Sequence, residues 1–262
     1  MKIRGIIGGY FGYILLKKFG RHAMAPDYQD ATSYEGLSKL EVLFGKDVWQ
    51  EIRDKAVIDY GCGHGKEAIE IALRGARKVI GTDTWAQALV KANENARKAG
   101  VTDICEFTDL AKRQQNLEDP LAADVIFSLD AFEHYNNPKW ILQHMRSLLK
   151  EGGRVRICFG PLWLHPYGGH LFSIFPWSHL LFTERAQIRW RSDFKTDGAT
   201  QFHEVDGGLN QMTIHQFRTL VDDSDFTVEE FAPVPIRKLR WMHFPFTREF
   251  TTSVVRCTLV TK

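Results

Sequence analysis

The chain has 262 residues, of which 44% are hydrophobic and 25% are charged. This composition is typical of soluble globular proteins and excludes collagen-like, disordered and supercharged classes, while the length suits one large α/β domain of up to about 250 residues. The 34 Lys and Arg residues nearly balance the 32 Asp and Glu residues, so the formal charge of +2 does not favour a protein that coats nucleic acid.

The four cysteines are widely separated and form no Cys-x-x-Cys pair. This spacing argues against a disulfide scaffold and against a zinc finger. Unpaired cysteines are typical of a reducing compartment, so we predict a cytoplasmic protein.

An apolar run covers residues 5–16 and is flanked by basic residues. A helix of that length spans about 18 Å, whereas a bilayer core is roughly 30 Å thick, so the run is not a transmembrane span. Three interpretations stay open: a helix packed on its own domain, a peripheral membrane or partner contact made by residues 1–20, or a leader that is cleaved or disordered. The apolar positions with helical spacing are Ile3, Ile6, Ile7, Tyr10, Phe11 and Ile14.

Downstream, predicted strands alternate with predicted helices. The strands cover residues 56–60, 78–83, 104–107, 124–129, 154–159, 227–231 and 253–260, and the helices cover 31–52, 66–74, 85–99, 140–149 and 213–221. This alternation is typical of βαβ units, so we expect a parallel sheet with helices on both faces.

The alternation stops over residues 161–212, which are rich in aromatic residues and contain His165, His170, His179 and His203. Aromatic rings favour a pocket for an apolar or planar ligand, or for a sugar. A small satellite core or a homodimer contact explains the same rings equally well.

The first predicted strand ends in a glycine-rich loop at residues 61–65. A dinucleotide-binding loop would have a third glycine where Lys66 stands, and the P-loop pattern is absent. Asp59, just before the loop, would repel a pyrophosphate but suits a ligand that carries an ammonium group. Free backbone amides in such a loop are available to a ligand.

Residues 59–65, Asp-Tyr-Gly-Cys-Gly-His-Gly, resemble the first motif of class I S-adenosylmethionine-dependent methyltransferases. The resemblance continues at the ends of the next three strands, with Asp83, with residues 108–110 and with residues 128–134. It covers roughly residues 55–160. It implies a Rossmann-like, seven-stranded, mostly parallel sheet whose last strand is antiparallel.

The resemblance also implies which residues bind S-adenosyl-L-methionine and release S-adenosyl-L-homocysteine. The loop would face the methionine part, Asp83 would bind the ribose hydroxyls, and Asp109 would take the adenine amino group. The full expected set is Asp59, Tyr60, Gly61, Cys62, Gly63, Gly65, Asp83, Thr84, Trp85, Asp109, Leu110, Ser128, Leu129 and Asp130.

Two motifs that methyltransferases of nucleic-acid bases carry are missing, and this limits the kind of molecule that accepts the methyl group. The family's Asn/Asp-Pro-Pro-Tyr/Phe motif for base amino groups is missing after the fourth strand, and so is the Pro-Cys nucleophile of carbon-5 pyrimidine enzymes. We therefore expect a small-molecule acceptor and no nucleic acid. We also expect no metal ion, because the histidines of residues 161–212 match no sharp ligand pattern, although a three-histidine site is possible at their spacing. Candidate general bases are His134, His165 and His170, although the pair Glu133-His134 could equally start a helix.

The predicted organisation is a single methyltransferase domain. Residues 1–54 form an N-terminal helical cover, 55–160 the cofactor-binding core, 161–212 the aromatic acceptor-pocket insertion, and 213–262 a helix and two strands that complete the sheet. The predicted reaction is methyl transfer to a hydroxyl oxygen of a metabolite, natural product or glycolipid, as in the bacterial type 11 methyltransferases. Two alternatives are a non-catalytic, membrane-docked subunit and a nicotinamide-dependent oxidoreductase.

Overall fold

The computed structural model describes residues 5–20, 36–110, 122–205 and 207–262. Their strands form one seven-stranded sheet in the order β3-β2-β1-β4-β5-β7-β6. Neighbouring strands are parallel from β3 to β5, whereas β7 runs antiparallel to both β5 and β6. The predicted Rossmann-like architecture, including the antiparallel last strand, is confirmed.

The strands are β1 Ala56–Tyr60, β2 Lys78–Thr82, β3 Cys105–Thr108, β4 Ala123–Leu129, β5 Leu149–Phe159, β6 Phe226–Pro235 and β7 Thr252–Thr261. The helices of the described residues are α1 Gly9–Phe19, α2 Lys39–Phe44, α3 Val48–Ile52, α4 Lys66–Leu73, α5 Ala86–Ala99, α6 Pro138–Leu148, α7 Ser178–Leu181, α8 Glu184–Arg191, α9 Ile214–Asp222 and α10 Arg248–Thr251.

The sheet is buried on both faces, as expected of continuous β-branched strands. On one face Ile58 and Ile126 share a core cluster with side chains of α6 and α9. On the other face Val57 and Val125 pack with α2, α3, α4 and α5. The parallel strands β1 to β4 end at one edge of the sheet, and this edge collects the residues of the site described below.

The N-terminal helix packs on the chain itself, but not through the predicted apolar face. In α1 the buried side chains are Tyr13 and Leu16, whereas Tyr10 and Phe11 are exposed. The reason is a close approach to α8, where a β-carbon added at Gly12 would lie 3.2 Å from that of Ala186. Among the described residues, no helix combines the length and the apolarity needed to cross a bilayer.

Leu16→Ala is expected to lower the free energy of unfolding by about 2–5 kcal/mol. The side chain of Leu16 is 0% exposed, because α1 packs it into the core of the insertion. Phe11→Ala, at a side chain 68% exposed on the same helix, is the matched control and should leave stability nearly unchanged. Urea titrations measure both effects. Equal destabilisation by the two variants would contradict the packing of α1.

The helix predicted over residues 31–52 is wrong in its described part. The chain forms two short helices, α2 and α3, because Gly45 ends α2 in a conformation with φ +80° that a helix cannot continue. Residues 31–35 lie outside the described residues. The helix predicted over residues 140–149 ends at Leu148, one residue before the predicted end, and β5 begins at the next residue.

Residues 161–212 form a small core of their own. Its buried rings include Trp163, Phe172, Trp190 and Phe202, and they pack with Tyr13 of α1. Most of the aromatic residues in this segment therefore form a satellite core, to which α1 also contributes side chains. Phe175 and Tyr167 are partly exposed exceptions.

Candidate active site

The loop between β1 and α4 leaves room for a ligand above its middle glycine. Gly61 takes φ +86°, and a β-carbon there would lie 2.6 Å from that of Ala131. At Gly63, with φ +50°, an added β-carbon would meet no described atom within 4 Å. The first glycine thus lets the loop pack against the segment after β4, and the second leaves open space over the backbone.

Asp83 holds the loop to the end of β2. Its Oδ2 accepts a hydrogen bond from the backbone amide of Gly63 at 2.9 Å, and its Oδ1 accepts one from the amide of Trp85 at 2.8 Å. A carboxylate has about four acceptor positions, so each oxygen can still accept another bond. This remaining capacity matches a vicinal diol such as that of a ribose.

Asp59 is buried at the end of β1. Its Oδ2 has no hydrogen-bond partner among the described residues. Burial, with a smaller contribution from the nearby Glu67, raises the pKa of Asp59 to about 8. An unpartnered carboxylate oxygen in this position is suited to a cationic ligand group, which would supply the missing partner.

Lys39 connects the N-terminal cover to this edge of the sheet. Its Nζ lies 2.7 Å from Oδ2 of Asp130 and 3.8 Å from Oε1 of Glu67. Burial lowers the pKa of Lys39, but the two carboxylates more than offset this and raise it above its ordinary value. The sequence analysis missed Lys39 and Glu67, because no spacing rule pairs positions so far apart with Asp130.

The other predicted cofactor residues of β1 and its loop serve partly in packing. The Tyr60 hydroxyl lies 2.7 Å from Nδ1 of His144, and its ring faces the core rather than the loop. The Cys62 thiol is buried, and burial raises its pKa well above the ordinary range. A nucleophilic role for Cys62 is therefore disfavoured, since the thiolate is the reactive form.

Beyond β2 and β3, the predicted adenine-side residues lie at the same edge. Thr84 and Trp85 are exposed, and the Trp85 ring lies 5.5 Å from that of His64. Leu110 is buried, and its amide donates to Oγ1 of Thr82 at 3.0 Å. Asp109 is half-buried next to it.

After β4 the chain makes a tight turn that carries polar groups. Ser128 and Leu129 are buried, and Oγ of Ser128 lies 3.0 Å from the Tyr135 hydroxyl, which donates to the Tyr60 carbonyl. Asp130 adopts φ +49°, a left-handed conformation that Asp tolerates better than most residues. This strained residue redirects the chain into the 3₁₀ turn Phe132–His134.

That turn places Glu133 and His134 beside the insertion. Oε1 of Glu133 accepts from the amide of Gly160 at 3.1 Å, and burial, followed by the charge of Asp130, raises the pKa of Glu133 to about 8. Nδ1 of His134 lies 2.9 Å from the carbonyl oxygen of Gly208. The predicted helix-start alternative fits the turn, but these tertiary contacts fix both side chains.

Asn210 clamps this turn and was missed by the sequence analysis. Its Nδ2 donates to the carbonyl oxygens of Phe132 at 2.8 Å and Tyr135 at 3.0 Å, and its backbone amide donates to the carbonyl oxygen of Glu133. An asparagine amide can satisfy two carbonyls at once, which few side chains can. No local motif marks such a residue in a sequence.

The four histidines of the insertion have different surroundings. The ring of His170 lies 5.0 Å from that of His134, and burial, then the neighbouring His134, lowers the pKa of His170 to about 4. His179 is buried between Oγ of Ser173 and the carbonyl of Trp163, a structural role. Nδ1 of His165 accepts from the amide of Tyr167, and His203 is exposed beside Glu204. Among these four, only the ring of His170 contacts that of His134.

The family model described as a methyltransferase domain matches residues 52–160. This match covers about two fifths of the chain and identifies a methyltransferase domain within it. The resemblance inferred from the four strand-end motifs is thereby confirmed, and S-adenosylmethionine is the cofactor. The nicotinamide-dependent alternative is set aside by the same match.

Two curated methyltransferases are each similar to part of the chain. The chain is 34% identical to a ubiquinone biosynthesis O-methyltransferase of Leptothrix cholodnii over 99 residues, which are 38% of this chain and 41% of that protein. It is 43% identical to a ribosomal protein L11 methyltransferase of Vibrio parahaemolyticus over 81 residues, 30% of this chain and 26% of that protein. The chain thus spans less than half the length of these curated relatives.

A solved structure of an S-adenosylmethionine-dependent methyltransferase from Mesorhizobium loti has a TM-score of 0.52 and 16% sequence identity. The similarity covers 80% of this chain and 92% of that one. At this identity the comparison shows the fold alone.

Proposed function

We propose that this methyltransferase moves the methyl group of S-adenosylmethionine to a hydroxyl oxygen of a small-molecule acceptor. The observation that carries this proposal is the cluster of Glu133, His134 and His170 at the turn after β4. Ala131, just before that turn, packs against Gly61 of the glycine loop. A sulfonium methyl is already electrophilic, so the protein mainly positions the acceptor. A hydroxyl must also lose its proton, and we assign the removal of that proton to this cluster.

The residues present fit the cofactor. Asp59 would face its ammonium group, the open space at Gly63 would admit its methionine part, and the remaining acceptor capacity of Asp83 would bind the ribose diol. When bound, S-adenosylmethionine supplies the methyl group on a cationic sulfur. The protein's own residues bind it, orient it and accept hydrogen bonds from it.

The acceptor is argued from this chain's own side chains rather than from the curated relatives. Both kinds of relative resemble this chain over fewer than half of its residues, and their names point to different acceptors, a quinone precursor pathway and a ribosomal protein. His170 lies in the insertion, outside the part that the family model matches. The turn after β4 and the insertion residue His170 beside it are called the acceptor edge. The two imidazoles there, of His134 and His170, favour an acceptor that must lose a proton.

The test is formation of S-adenosylhomocysteine, measured by mass spectrometry, with phenols, aliphatic alcohols, amines and ribosomal protein L11 as separate acceptor classes. Methylation confined to hydroxyl compounds would support the proposal. Methylation of amines or of the protein alone would overturn it. His203→Gln, at an exposed histidine of the insertion, serves as the control variant and should retain activity.

Binding of S-adenosylmethionine at pH 6.5 is expected to release a proton from Asp59. Burial raises the pKa of Asp59 to about 8, so the carboxyl is protonated at this pH, and a bound ammonium group would lower that pKa. Calorimetry in buffers with different ionisation enthalpies measures the release. Asp59→Asn should abolish it, while Asp103→Asn, at an exposed residue before β3, should not. Equal release by wild type and Asp59→Asn would contradict the assignment.

A further inference from the structure

We propose that Glu133, His134 and His170 form a binding site for a divalent transition-metal ion at the acceptor edge. Each residue offers one ligand atom, and these atoms lie within 4.8 Å of one another. Two residues come from the turn after β4 and the third from the insertion, 36 positions later, so only the fold brings them together. The proposal goes against the sequence-based expectation of no metal.

The two imidazoles are oriented as metal ligands usually are. Nδ1 of His134 lies 2.9 Å from the carbonyl oxygen of Gly208, and Nδ1 of His170 lies 3.2 Å from that of Gly168. A carbonyl oxygen only accepts hydrogen bonds, so each Nδ1 must carry the proton and each Nε2 the lone pair. A backbone carbonyl that fixes the tautomer in this way is typical of histidines that bind metal ions.

The carboxyl group of Glu133 is an independent indication that a cation binds here. Its carboxyl group is buried, Oε1 accepts from the Gly160 amide, and Oε2 has no hydrogen-bond partner among the described residues. Leaving a buried carboxyl oxygen without a partner is unfavourable. A cation bound by Oε2 would remove that penalty.

The backbone of the turn that carries Glu133 and His134 is held by residues of the insertion. Asn210 bonds the turn at Phe132, Glu133 and Tyr135, and a β-carbon at Gly208 would lie 2.4 Å from the carbonyl oxygen of His134. Ligands bound to one ion at about 2.0–2.2 Å lie roughly 3–3.5 Å apart. Small side-chain rotations, rather than backbone movement, would therefore close the site.

The donor set selects the class of ion. Two imidazole nitrogens and one carboxylate oxygen suit Zn²⁺, Mn²⁺, Fe²⁺ or Co²⁺, whereas Ca²⁺ and Mg²⁺ prefer oxygen ligands throughout. Three protein ligands leave at least one open position. Resting on the proposed function, we assign that position to the acceptor hydroxyl, whose pKa the ion would lower so that its proton leaves to solvent. The oxygen would then form a bond to the methyl carbon while the carbon–sulfur bond breaks, its electron pair stays on sulfur and S-adenosylhomocysteine leaves.

The test is metal binding by the full chain without an affinity tag. After treatment with a chelator, the protein is titrated with Zn²⁺, Mn²⁺, Co²⁺ or Mg²⁺ by calorimetry, and Co²⁺ binding is followed by visible absorption. We expect one transition-metal ion per chain and much weaker Mg²⁺ binding. His170→Ala and Glu133→Gln should each weaken binding by at least about 100-fold, since losing an outer-shell partner alone costs about 10–100-fold.

Two controls distinguish the loss of a metal ligand from an unspecific effect and from unfolding. His203→Ala removes an exposed histidine of the same insertion and should leave metal affinity unchanged, and thermal melting checks that both ligand variants are folded. Absence of stoichiometric binding to wild type, or retained binding in both folded variants, would overturn the site. Methyl transfer that persists in excess chelator would overturn the metal proposal and leave the proposed function standing, whereas metal binding without any methyl transfer would do the reverse.

Discussion

Asp83→Ala is expected to weaken binding of S-adenosylmethionine at least about 100-fold. The substitution removes the carboxylate that would bind both ribose hydroxyls, and each hydrogen bond to a charged group is worth about 1.5–3 kcal/mol. A loss of about 3 kcal/mol corresponds to about 100-fold in affinity. The variant also frees the amides of Gly63 and Trp85, which Asp83 holds in place, so the loop itself is less well positioned.

Isothermal titration with S-adenosylmethionine and S-adenosylhomocysteine measures this loss. The matched control is Asp103→Ala, because Asp103 is an exposed aspartate that precedes β3 and lies away from the carboxyl ends of the strands. A folded Asp83→Ala protein that binds within about threefold of wild type would refute the ribose assignment. A wild type that is folded and binds neither compound would instead favour the non-catalytic alternative.

Phe132→Ala is expected to lower the free energy of unfolding by about 3–5 kcal/mol, the range for truncating a buried phenylalanine. The ring is 0% exposed, and it lies 5.7 Å from the ring of Phe159 and 5.1 Å from that of Phe217. For a chain of this size such a loss lowers the melting temperature by roughly 10 °C. Calorimetric or spectroscopic melting measures the shift.

The same substitution should disturb the acceptor edge. Phe132 begins the turn that carries Glu133 and His134, so the cavity left by its ring removes the support directly under both side chains. Phe246→Ala is the control, since that ring is 95% exposed and its loss should change neither stability nor metal binding. A melting temperature that is unchanged in Phe132→Ala would contradict the packing described for this turn.

The acceptor edge combines groups that sequence reasoning treated separately. His134 and His170 were both predicted as candidate bases, but the sequence offered no reason to place them together. The structure brings their rings to 5.0 Å and places Glu133 beside them. His165, predicted in the same role, instead has Nδ1 occupied by the amide of Tyr167, and burial lowers its pKa to about 4. Whether any of the three is catalytic stays a prediction.

The sequence alone was sufficient to predict the fold class and, through the family resemblance of its strand-end motifs, the cofactor. β-branched runs, glycine turns and strand-end acids such as Asp59 and Asp83 are local signals, because each depends on the backbone conformation and chemistry of a few consecutive residues. Four such signals in register define a parallel sheet whose carboxyl ends share one edge. The approximate positions of all seven strands followed from this pattern.

Only the tertiary structure decided which face of α1 is buried, and which distant groups meet. Gly12 lies against α8, where a close helix approach favours a small residue. Leu16 of the same helix is buried, although the apolar spacing pointed to Tyr10 and Phe11. The contact of Lys39 with Asp130 likewise joins segments about ninety residues apart. Such contacts depend on how whole elements pack, so their partners leave no periodic signal in the chain.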